Sequence, residues 1–338
     1  RTNRDRVPWV LQKLPAELLS VAGMPLIKVT DLAYGRLQSP SLDQAEEFLT
    51  AFGLVRTERT PDALYMRGTD PSHHVHVTHL GPSRFIGLGF FAASEDDLDR
   101  LARAPGASGV EHVDEPGGGK RVTLLDPLGY RVEVVCGMQT LPQLPAAEQS
   151  MNTGANKLRR AGELLRVERR PSRVKRIAHA VLMARNAADK TRWYRETLGF
   201  LPSDEVYEGS KDNIVATFNR CDRGETFVDH HTLLCFESPT TGLNHLSFEV
   251  QSFDDLMVGH EHLRQAGKYR HVWGIGRHLL GSQIFDYWED PWRRVHEHWT
   301  DSDVLNARAA AGLHPAEIGF SAQWGTPPPE DFVHHATP

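Results

Sequence analysis

Two histidines and a glutamate in the second half of the chain occupy positions that the first half repeats without the histidines. His179 lies in the segment Ile-Ala-His-Ala-Val, and His245 lies in Leu-Asn-His-Leu-Ser-Phe. Glu297 ends a run that begins with the Asp-Pro pair at Asp290. Two neutral imidazoles and one carboxylate leave coordination positions open on a metal ion, which is typical of non-haem Fe(II) sites that activate oxygen. The pattern therefore indicates a metal centre formed by these three side chains.

The first half of the chain contains three matching stretches. Leu-Ala-Tyr ends at Tyr34, and Phe-Ile-Gly-Leu-Gly-Phe contains Gly87. The run from Asp126 to Glu133 has the same length as the run from Asp290 to Glu297. Tyr34 and Gly87 thus replace the two histidines, while Glu133 keeps the carboxylate. We interpret this as a duplicated fold in which only the second copy retains a metal site.

Four modules of similar pattern support this duplication, because each opens with a short strand that is followed by an amphipathic helix and further strands. Gly53 and Gly199 each follow a helical pattern and favour the left-handed conformation that ends a helix. In the strand that contains His245, alternation directs Leu246 and Phe248 to one face and the histidine to the other. We predict the four helices at Ser41–Phe52, Glu95–Ala102, Ala187–Leu198 and Phe253–Ala266.

The repeats and the distribution of proline divide the chain into five parts, and the fold class that they indicate is α+β. The segment between the repeats contains Pro142, Pro145 and Pro171, together with a helix-like stretch at residues 156–166. The predicted parts are an N-terminal extension (1–29), a domain without metal (30–139), a linker with a helix (140–173), a metal-binding catalytic domain (174–301) and a tail that covers the catalytic domain (302–338).

Composition excludes several classes of function. The 338 residues carry a formal net charge of −6, which argues against a nucleic-acid partner. No apolar run reaches the roughly 18 residues that span a bilayer. Residues 1–15 lack an apolar signal-peptide core, and the chain begins with Arg1 rather than Met, which we interpret as a trimmed start. The three cysteines have no Cys-x-x-Cys spacing, so we expect reduced thiols in a cytoplasmic protein.

The chain from about residue 30 to about residue 300 resembles the two-domain type I extradiol catechol dioxygenases of the vicinal oxygen chelate superfamily. The resemblance is carried by the four modules and by the ligand positions on their first and last strands. It implies that each domain pairs two βαβββ modules into an incomplete barrel around a cavity, and that only the C-terminal domain holds the metal. By this match His179, His245 and Glu297 are the ligands of Fe(II), with Mn(II) as the alternative.

The resemblance also implies three residues that act on the substrate. The segment Asp-His-His-Thr-Leu resembles a family strand in which the second histidine, His231, is the acid–base residue. A shift of one residue in strand register would give that role to His230 instead. Gly-Arg-His ends at His278, and Tyr287 follows at the family's spacing. His278 and Tyr287 would hydrogen-bond the substrate oxygens and the bound oxygen.

One position departs from the family pattern. The family usually has glycine two residues after the proline of the Asp-Pro pair, and the first domain keeps it as Gly129. The second domain has Arg293 there, preceded by Trp292. We therefore expect a changed turn beneath the last ligand strand, without loss of the ligand.

The reaction implied is extradiol (meta) cleavage of a substituted catechol, with insertion of both atoms of O2. A 2,3-dihydroxybiphenyl-like or alkyl catechol would suit pocket walls formed by the apolar residues Trp193, Val181, Phe218, Trp273 and Leu280. We expect no nucleic-acid or membrane partner, and we expect a homo-oligomer. Two alternatives remain open: a glyoxalase- or epimerase-like metalloenzyme of the same superfamily, which usually has a fourth protein ligand, and a metal-free small-molecule binding protein.

Overall fold

The computed structural model describes residues 24–146 and 151–338, so most of the predicted N-terminal extension, residues 1–23, lies outside the described residues. Two large mixed sheets dominate the structure, one in each half of the chain. Helices are few, which confirms the predicted α+β class. Among the described residues, no helix is long and apolar enough to cross a membrane.

The first domain contains an eight-stranded sheet. Its strands follow the order β2-β3-β4-β1-β5-β8-β7-β6. The elements are β1 (Leu32–Ser39), α1 (Leu42–Phe52), β2 (Val55–Arg59), β3 (Ala63–Arg67), β4 (His76–Leu80), β5 (Arg84–Phe91), α2 (Glu95–Leu101), β6 (Glu111–His112), β7 (Lys120–Leu125) and β8 (Arg131–Cys136).

The second domain contains a ten-stranded sheet that includes two short strands of the tail. Its order is β19-β10-β11-β13-β9-β14-β17-β16-β15-β20, and β12 and β18 form a separate pair. The elements are β9 (Val174–Ala184), α3 (Ala187–Leu198), β10 (Phe200–Tyr207), β11 (Ile214–Cys221), β12 (Val228–Asp229), β13 (Leu233–Glu237), β14 (Gly242–Val250), α4 (Phe253–Ala266), β15 (His271–His278), β16 (Ile284–Glu289), β17 (Val295–Thr300), β18 (Val304–Leu305), β19 (Gly312–Pro315) and β20 (Ala322–Trp324).

The centres of the two sheets have the same connectivity. The order β4-β1-β5-β8-β7 in the first corresponds to β13-β9-β14-β17-β16 in the second. In each, the two strands at the centre are parallel: β5 with β8 and β14 with β17. Because the pairing is of the same type at every step, positions can be matched between the domains through strand register alone.

The four helices lie where the sequence predicts them. α3 and α4 have the predicted bounds, α1 begins one residue later, and α2 ends one residue earlier. Ser41 is the N-cap of α1, where its hydroxyl accepts a hydrogen bond from the backbone N–H of Gln44. Gly53 and Gly199 follow α1 and α3 in the left-handed conformation, with φ of 113° and 78°. These helices are therefore closed at both ends by local chemistry.

The predicted helix at residues 156–166 of the linker is wrong. Residues 157–162 form turns, and no helix is present in the described part of the linker that follows residue 150. Leu158 and Leu164, two large apolar residues of this segment, are 77% and 80% exposed. Gly162 has a φ of 82°, which interrupts a right-handed helix. Without a buried face, a segment of this length lacks the packing that stabilises most helices.

The two domains are joined by buried polar contacts as well as by a continuous apolar core. Arg294 donates to the carbonyl oxygen of Gln38 and to the hydroxyl of Ser39, each at 2.8 Å. The ammonium of Lys190 lies 2.8 Å from a carboxylate oxygen of Asp126, and both side chains are buried. These contacts connect the turn before β8 to the second domain and the turn before β17 to the first domain.

The tail returns across the second sheet and reaches its central strand. β19 pairs with β10, and β20 pairs with β15, at opposite edges of the sheet. Thr337 forms an isolated bridge with Leu243, at the start of β14. Phe332 is 2% exposed and packs with Tyr287 and Val295. The tail therefore helps to enclose the interior of the second domain.

Candidate metal centre

Three neighbouring strands bring His179, His245 and Glu297 together. The residues lie on β9, β14 and β17, which are adjacent in the sheet. The Nε2 atoms of His179 and His245 lie 3.0 Å and 3.4 Å from Oε2 of Glu297. One ligand atom from each residue falls within 4.8 Å of the others, and all three side chains are buried. This spacing allows a single ion to contact all three.

The unpaired atoms of this cluster fit a cation. His179 Nδ1, His245 Nε2 and Glu297 Oε1 are buried and have no hydrogen-bond partner. A buried polar atom without a partner costs about 1–3 kcal/mol, so such a concentration within one site needs a compensating interaction. Burial alone raises the pKa of Glu297, but the surrounding imidazoles of His179, His245 and His278 outweigh it and hold that pKa well below its usual range. The carboxylate is therefore ionised and available as a ligand.

Two residues that sequence reasoning missed orient the candidate ligands. Ser247 Oγ donates to Oε2 of Glu297 at 2.5 Å. The side-chain oxygen of Asn244 lies 2.7 Å from Nδ1 of His245, while its amide nitrogen donates to the carbonyl oxygens of Phe332 and His335. Partners of this kind fix the ring orientation of a metal-binding histidine. Their proximity in sequence to His245 was the available signal, but hydrogen bonding to the distant tail could not be read from it.

His231 faces the centre and His230 faces away from it. The His231 ring lies 4.1 Å from the His179 ring, measured between centroids, and it lines the cavity beside the cluster. His230 Nε2 instead lies 2.7 Å from a carboxylate oxygen of Asp204. Burial, followed by the neighbouring His179 and His230, lowers the pKa of His231 well below its usual value. The imidazole is therefore neutral at neutral pH and can accept a proton.

His278 and Tyr287 form a hydrogen-bonded pair at the same cavity. His278 Nε2 lies 2.9 Å from the phenolic oxygen of Tyr287 and 3.7 Å from Oε1 of Glu297. Burial lowers the pKa of His278, and burial together with the charge of Glu297 raises the pKa of Tyr287 well above 10. The tyrosine thus remains a hydroxyl donor near the cluster.

A small cavity of about 30 Å³ with a mostly apolar lining opens onto these groups. Of the predicted wall residues, Val181, Phe218 and Leu280 line it, whereas Trp193 and Trp273 do not. Trp193 is partly buried against the apolar core, and Trp273 lies behind the pocket, stacked 5.4 Å from the Tyr287 ring. The structure adds four wall residues that the sequence did not indicate: Leu234, Gln283, Phe320 and Phe332. Of these, Phe320 and Phe332 belong to the tail.

The turn before Glu297 keeps its shape despite the arginine. Arg293 has a φ of 66°, close to the 86° of Gly129 at the matching position. In both turns the preceding aspartate accepts two backbone N–H bonds, from Trp292 and Arg294 to Asp290 and from the corresponding residues to Asp126. The expectation of a changed turn is therefore wrong. The aspartate fixes the turn, and Arg293 accepts a conformation that favours glycine.

Strand register identifies the counterpart of this centre in the first domain. Ser247 pairs with both His179 and Glu297, and Gly89 pairs in the same way with Tyr34 and Glu133. His245 pairs with Val295, and correspondingly Gly87 pairs with Arg131. Tyr34, Gly87 and Glu133 thus occupy the positions of His179, His245 and Glu297.

In the first domain, a tyrosine and three arginines surround Glu133. The phenolic O–H of Tyr34 and Nε of Arg36 donate to Oε2 of Glu133 at 2.8 Å and 3.1 Å. Arg131 and Arg121 lie 2.7 Å and 3.3 Å from its other oxygen. Glu133 is 1% exposed. Arg36 lies 97 residues from Glu133 and reaches it only through strand pairing, and for that reason the sequence did not reveal this contact.

The chain is similar to known proteins in both sequence and fold. These similarities agree with two matched domains of which only one has a buried His-His-Glu cluster. Residues 176–293 match the family described as the Glyoxalase/Bleomycin resistance protein/Dioxygenase superfamily. The fold is similar to homoprotocatechuate 2,3-dioxygenase from Brevibacterium fuscum (TM-score 0.74, 18% identity, 93% of this chain and 94% of the other). It is equally similar to a Mn(II)-bound glyoxalase from Novosphingobium aromaticivorans (TM-score 0.74, 24% identity, 92% and 96%).

Two proteins related in sequence define the class of enzyme more closely. Metapyrocatechase 2 from Cupriavidus necator is 30% identical over 320 residues, which cover 93% of this chain and 94% of that protein. Metapyrocatechase from Geobacillus stearothermophilus is 24% identical over 55% of this chain and 56% of its own length. The chain belongs to the metapyrocatechase family of extradiol dioxygenases.

Proposed function

We propose that the protein is an Fe(II)-dependent extradiol dioxygenase that cleaves a substituted catechol, with His179, His245 and Glu297 as the metal ligands. The observation that carries the proposal is the buried cluster itself, whose unpaired atoms border an apolar cavity. Membership of the metapyrocatechase family supports the same reaction. Mn(II) is the alternative ion, because oxygen and imidazole ligands of this kind suit both.

When bound, the ion would supply Lewis acidity, a template for the two diol oxygens and a place for O2 beside the ring. Two neutral histidines and one carboxylate leave a divalent ion with one net positive charge. A catechol that binds as a monoanion matches this charge, so the substrate must lose one proton before or during binding. The second hydroxyl proton then needs an acceptor within the cavity.

His231 is the proposed acceptor of that proton. Its imidazole is neutral, lines the cavity and lies against His179. A positioned base of this kind typically contributes about 10²–10⁴-fold to the rate. After oxygen has been inserted into the ring, the same imidazole, now protonated, can return its proton to the product.

His278 and Tyr287 are proposed to orient the reactants. Their mutual hydrogen bond, 2.9 Å long, holds both polar groups at the cavity wall. Tyr287 keeps its proton and can donate to a developing oxyanion, while His278 can accept or donate according to its tautomer. Packing of Trp273 behind the Tyr287 ring restricts its motion, which favours a fixed donor position.

The cavity walls support a catechol with an apolar substituent. Val181, Leu234 and Phe320 line the space together with Phe218 and Leu280. Such walls suit an alkyl or aryl group, as in an alkyl catechol or a 2,3-dihydroxybiphenyl-like compound. We further propose that the protein is cytoplasmic, which its three free cysteines suit, and that it forms a homo-oligomer.

Catechol-dependent oxygen uptake by iron-loaded protein tests the proposal. A panel of 3- and 4-substituted catechols should give oxygen consumption and coloured ring-cleavage products. His231→Phe should keep its iron and bind catechol, but kcat should fall by about 10²–10⁴-fold. His230→Phe is the matched control, since His230 faces Asp204 rather than the cavity.

Three outcomes would contradict the proposal in whole or in part. Wild-type kcat in His231→Phe with loss in His230→Phe would reverse the two roles. Metal-loaded protein that consumes no oxygen with any catechol, but isomerises a hemithioacetal, would indicate a glyoxalase-like enzyme instead. Absence of bound metal after anaerobic preparation would indicate a binding protein.

A further inference from the structure

A second group of metal-binding side chains lies on the face of the second sheet that is covered by α4. His260 from α4 and His271 from β15 converge on Asp286 of β16. His271 Nε2 lies 2.7 Å from Oδ1 of Asp286, and His260 Nδ1 lies 3.1 Å and 3.2 Å from its two oxygens. The two rings are almost perpendicular, with centroids 4.9 Å apart.

The carboxylate at the centre of this group requires positive charge. Asp286 is completely buried. Within residues 24–146 and 151–338, its ion-pair partners are the two histidines, and neither arginine nor lysine joins them. Burial of an ionised carboxylate is costly unless a cation compensates it. The hydrogen bond to Asp286 raises the pKa of His260, so either a proton on this imidazole or a metal ion bound to it can supply the compensating positive charge.

The surroundings have the features of a metal site. Trp288 Nε1 donates to Oδ2 of Asp286 at 2.6 Å, as outer partners of metal ligands do. The side chains of His260 and His271 are 16% and 32% exposed, which gives an ion and its water ligands a path from solvent. Two imidazoles and a carboxylate with open positions suit zinc and similar transition metals better than calcium or magnesium.

This group is separate from the catalytic cluster. Asp286 and Tyr287 are neighbours on β16, and alternation along a strand directs them to opposite faces. Tyr287 lines the catalytic cavity, whereas Asp286 contacts α4 and β15 on the other side. None of His260, His271 and Asp286 borders the cavity.

We propose that His260, His271 and Asp286 bind a second divalent transition-metal ion, with Zn²⁺ as the representative, behind the catalytic strand. The ion would bind the imidazole nitrogens that now face the carboxylate, and each neutral ring would carry its single proton on the other nitrogen. It would link α4 to β15 and β16 and would thereby stabilise the sheet that carries Tyr287.

Zinc binding to the iron-loaded, full-length protein tests the proposal. ZnCl2 is added by equilibrium dialysis, zinc and iron per chain are measured, and Trp288, whose ring lies 4.8 Å from that of His271, is followed by tryptophan fluorescence. One zinc per chain should bind without displacing iron. His271→Ala and His260→Gln should each weaken zinc binding by at least about 10–100-fold. This is the typical loss when a residue that only hydrogen-bonds a metal ligand is removed, and loss of a ligand should cost no less.

Two further variants locate the zinc. His262→Ala removes a histidine of the same helix that lies outside the group, so zinc affinity should be unchanged. His245→Ala, which alters the catalytic cluster, should keep the second zinc and its fluorescence change. The proposal is overturned if wild-type protein takes up no zinc beyond the catalytic centre, if His271→Ala and His260→Gln bind zinc as wild type does, or if His245→Ala abolishes the uptake.

Discussion

The two domains present a buried glutamate at the same position of the same strand framework and neutralise it in different ways. Glu297 is surrounded by imidazoles with unpaired atoms, whereas Glu133 is surrounded by the guanidinium groups of Arg36, Arg121 and Arg131. A buried carboxylate needs nearby positive charge in either case. In the first domain the chain supplies that charge itself, and in the second an exchangeable ion can do so. The carboxylate therefore belongs to the framework, and its partners decide whether metal chemistry is possible.

The second difference concerns space. His245 occupies its position with its ring near Glu297. At the matching Gly87, a Cβ atom would lie 1.8 Å from the carbonyl oxygen of Arg131. The first domain therefore excludes any side chain at this position. The close approach of the two backbones is incompatible with a histidine.

The largest expected effect is on activity, from His245→Ala. Without this ligand the second domain should lose its catalytic metal, and ring cleavage should fall to background, a loss of about 10⁶-fold or more for a typical enzyme. Oxygen uptake and circular dichroism should be measured together, since the fold should persist. Full iron content in this variant would show that His245 is not a ligand.

The reciprocal change, Gly87→His, should unfold the first domain instead of creating a site there. The clash is with backbone, which cannot move aside as a flexible side chain can. We expect a destabilisation of more than about 4 kcal/mol, or insoluble protein, by urea unfolding. A stable Gly87→His protein that binds additional metal would contradict the view that space excludes the histidine.

Glu133→Ala should destabilise the first domain by about 3–5 kcal/mol, because it leaves buried arginines without their counter-charge. Arg36 has a side chain that is only 3% exposed. Glu115→Ala is a milder control, since Glu115 is 29% exposed and pairs with the same arginines. Urea unfolding distinguishes the two. Equal and small effects would show that the arginines are not held by Glu133.

The smallest effect is expected from Arg293→Gly, which gives the second domain the residue that the first has at Gly129. Arg293 has a positive φ and an exposed side chain, so glycine should raise the free energy of unfolding by about 1 kcal/mol. Thermal unfolding would measure this, with Gly129→Arg as the reverse test. A loss of stability in Arg293→Gly would mean that its weak ion pair with Glu289 outweighs the strain.

Much of this comparison could be predicted from local patterns. The helices were found because the glycines that close them, such as Gly53 and Gly199, lie next to the residues that they serve. The positions of His179, His245 and Glu297 could be proposed because the repeats supply an internal reference. The helix at residues 156–166 failed, since a periodic pattern does not reveal whether Leu158 has anything to pack against.

What the sequence could not supply are contacts between distant segments. Asn244 is held by backbone atoms of the tail, and Phe332 reaches the cavity from the same segment. Arg36 and Arg121 meet Glu133 only through strand pairing. The choice between His230 and His231 likewise depends on which face of the chain turns inward, and a shift of one residue reverses it.

Iron content after anaerobic loading and desalting tests the central claim most directly, in the matched variants Glu297→Gln and Glu133→Gln. Both changes remove a buried charge at the same position of the framework, so a general loss of folding would affect them alike. We predict that Glu297→Gln loses the iron that supports catechol cleavage, while folded Glu133→Gln retains wild-type iron per chain. Retention of that iron in Glu297→Gln, or its loss in folded Glu133→Gln, would contradict the assignment of the metal to the second domain alone.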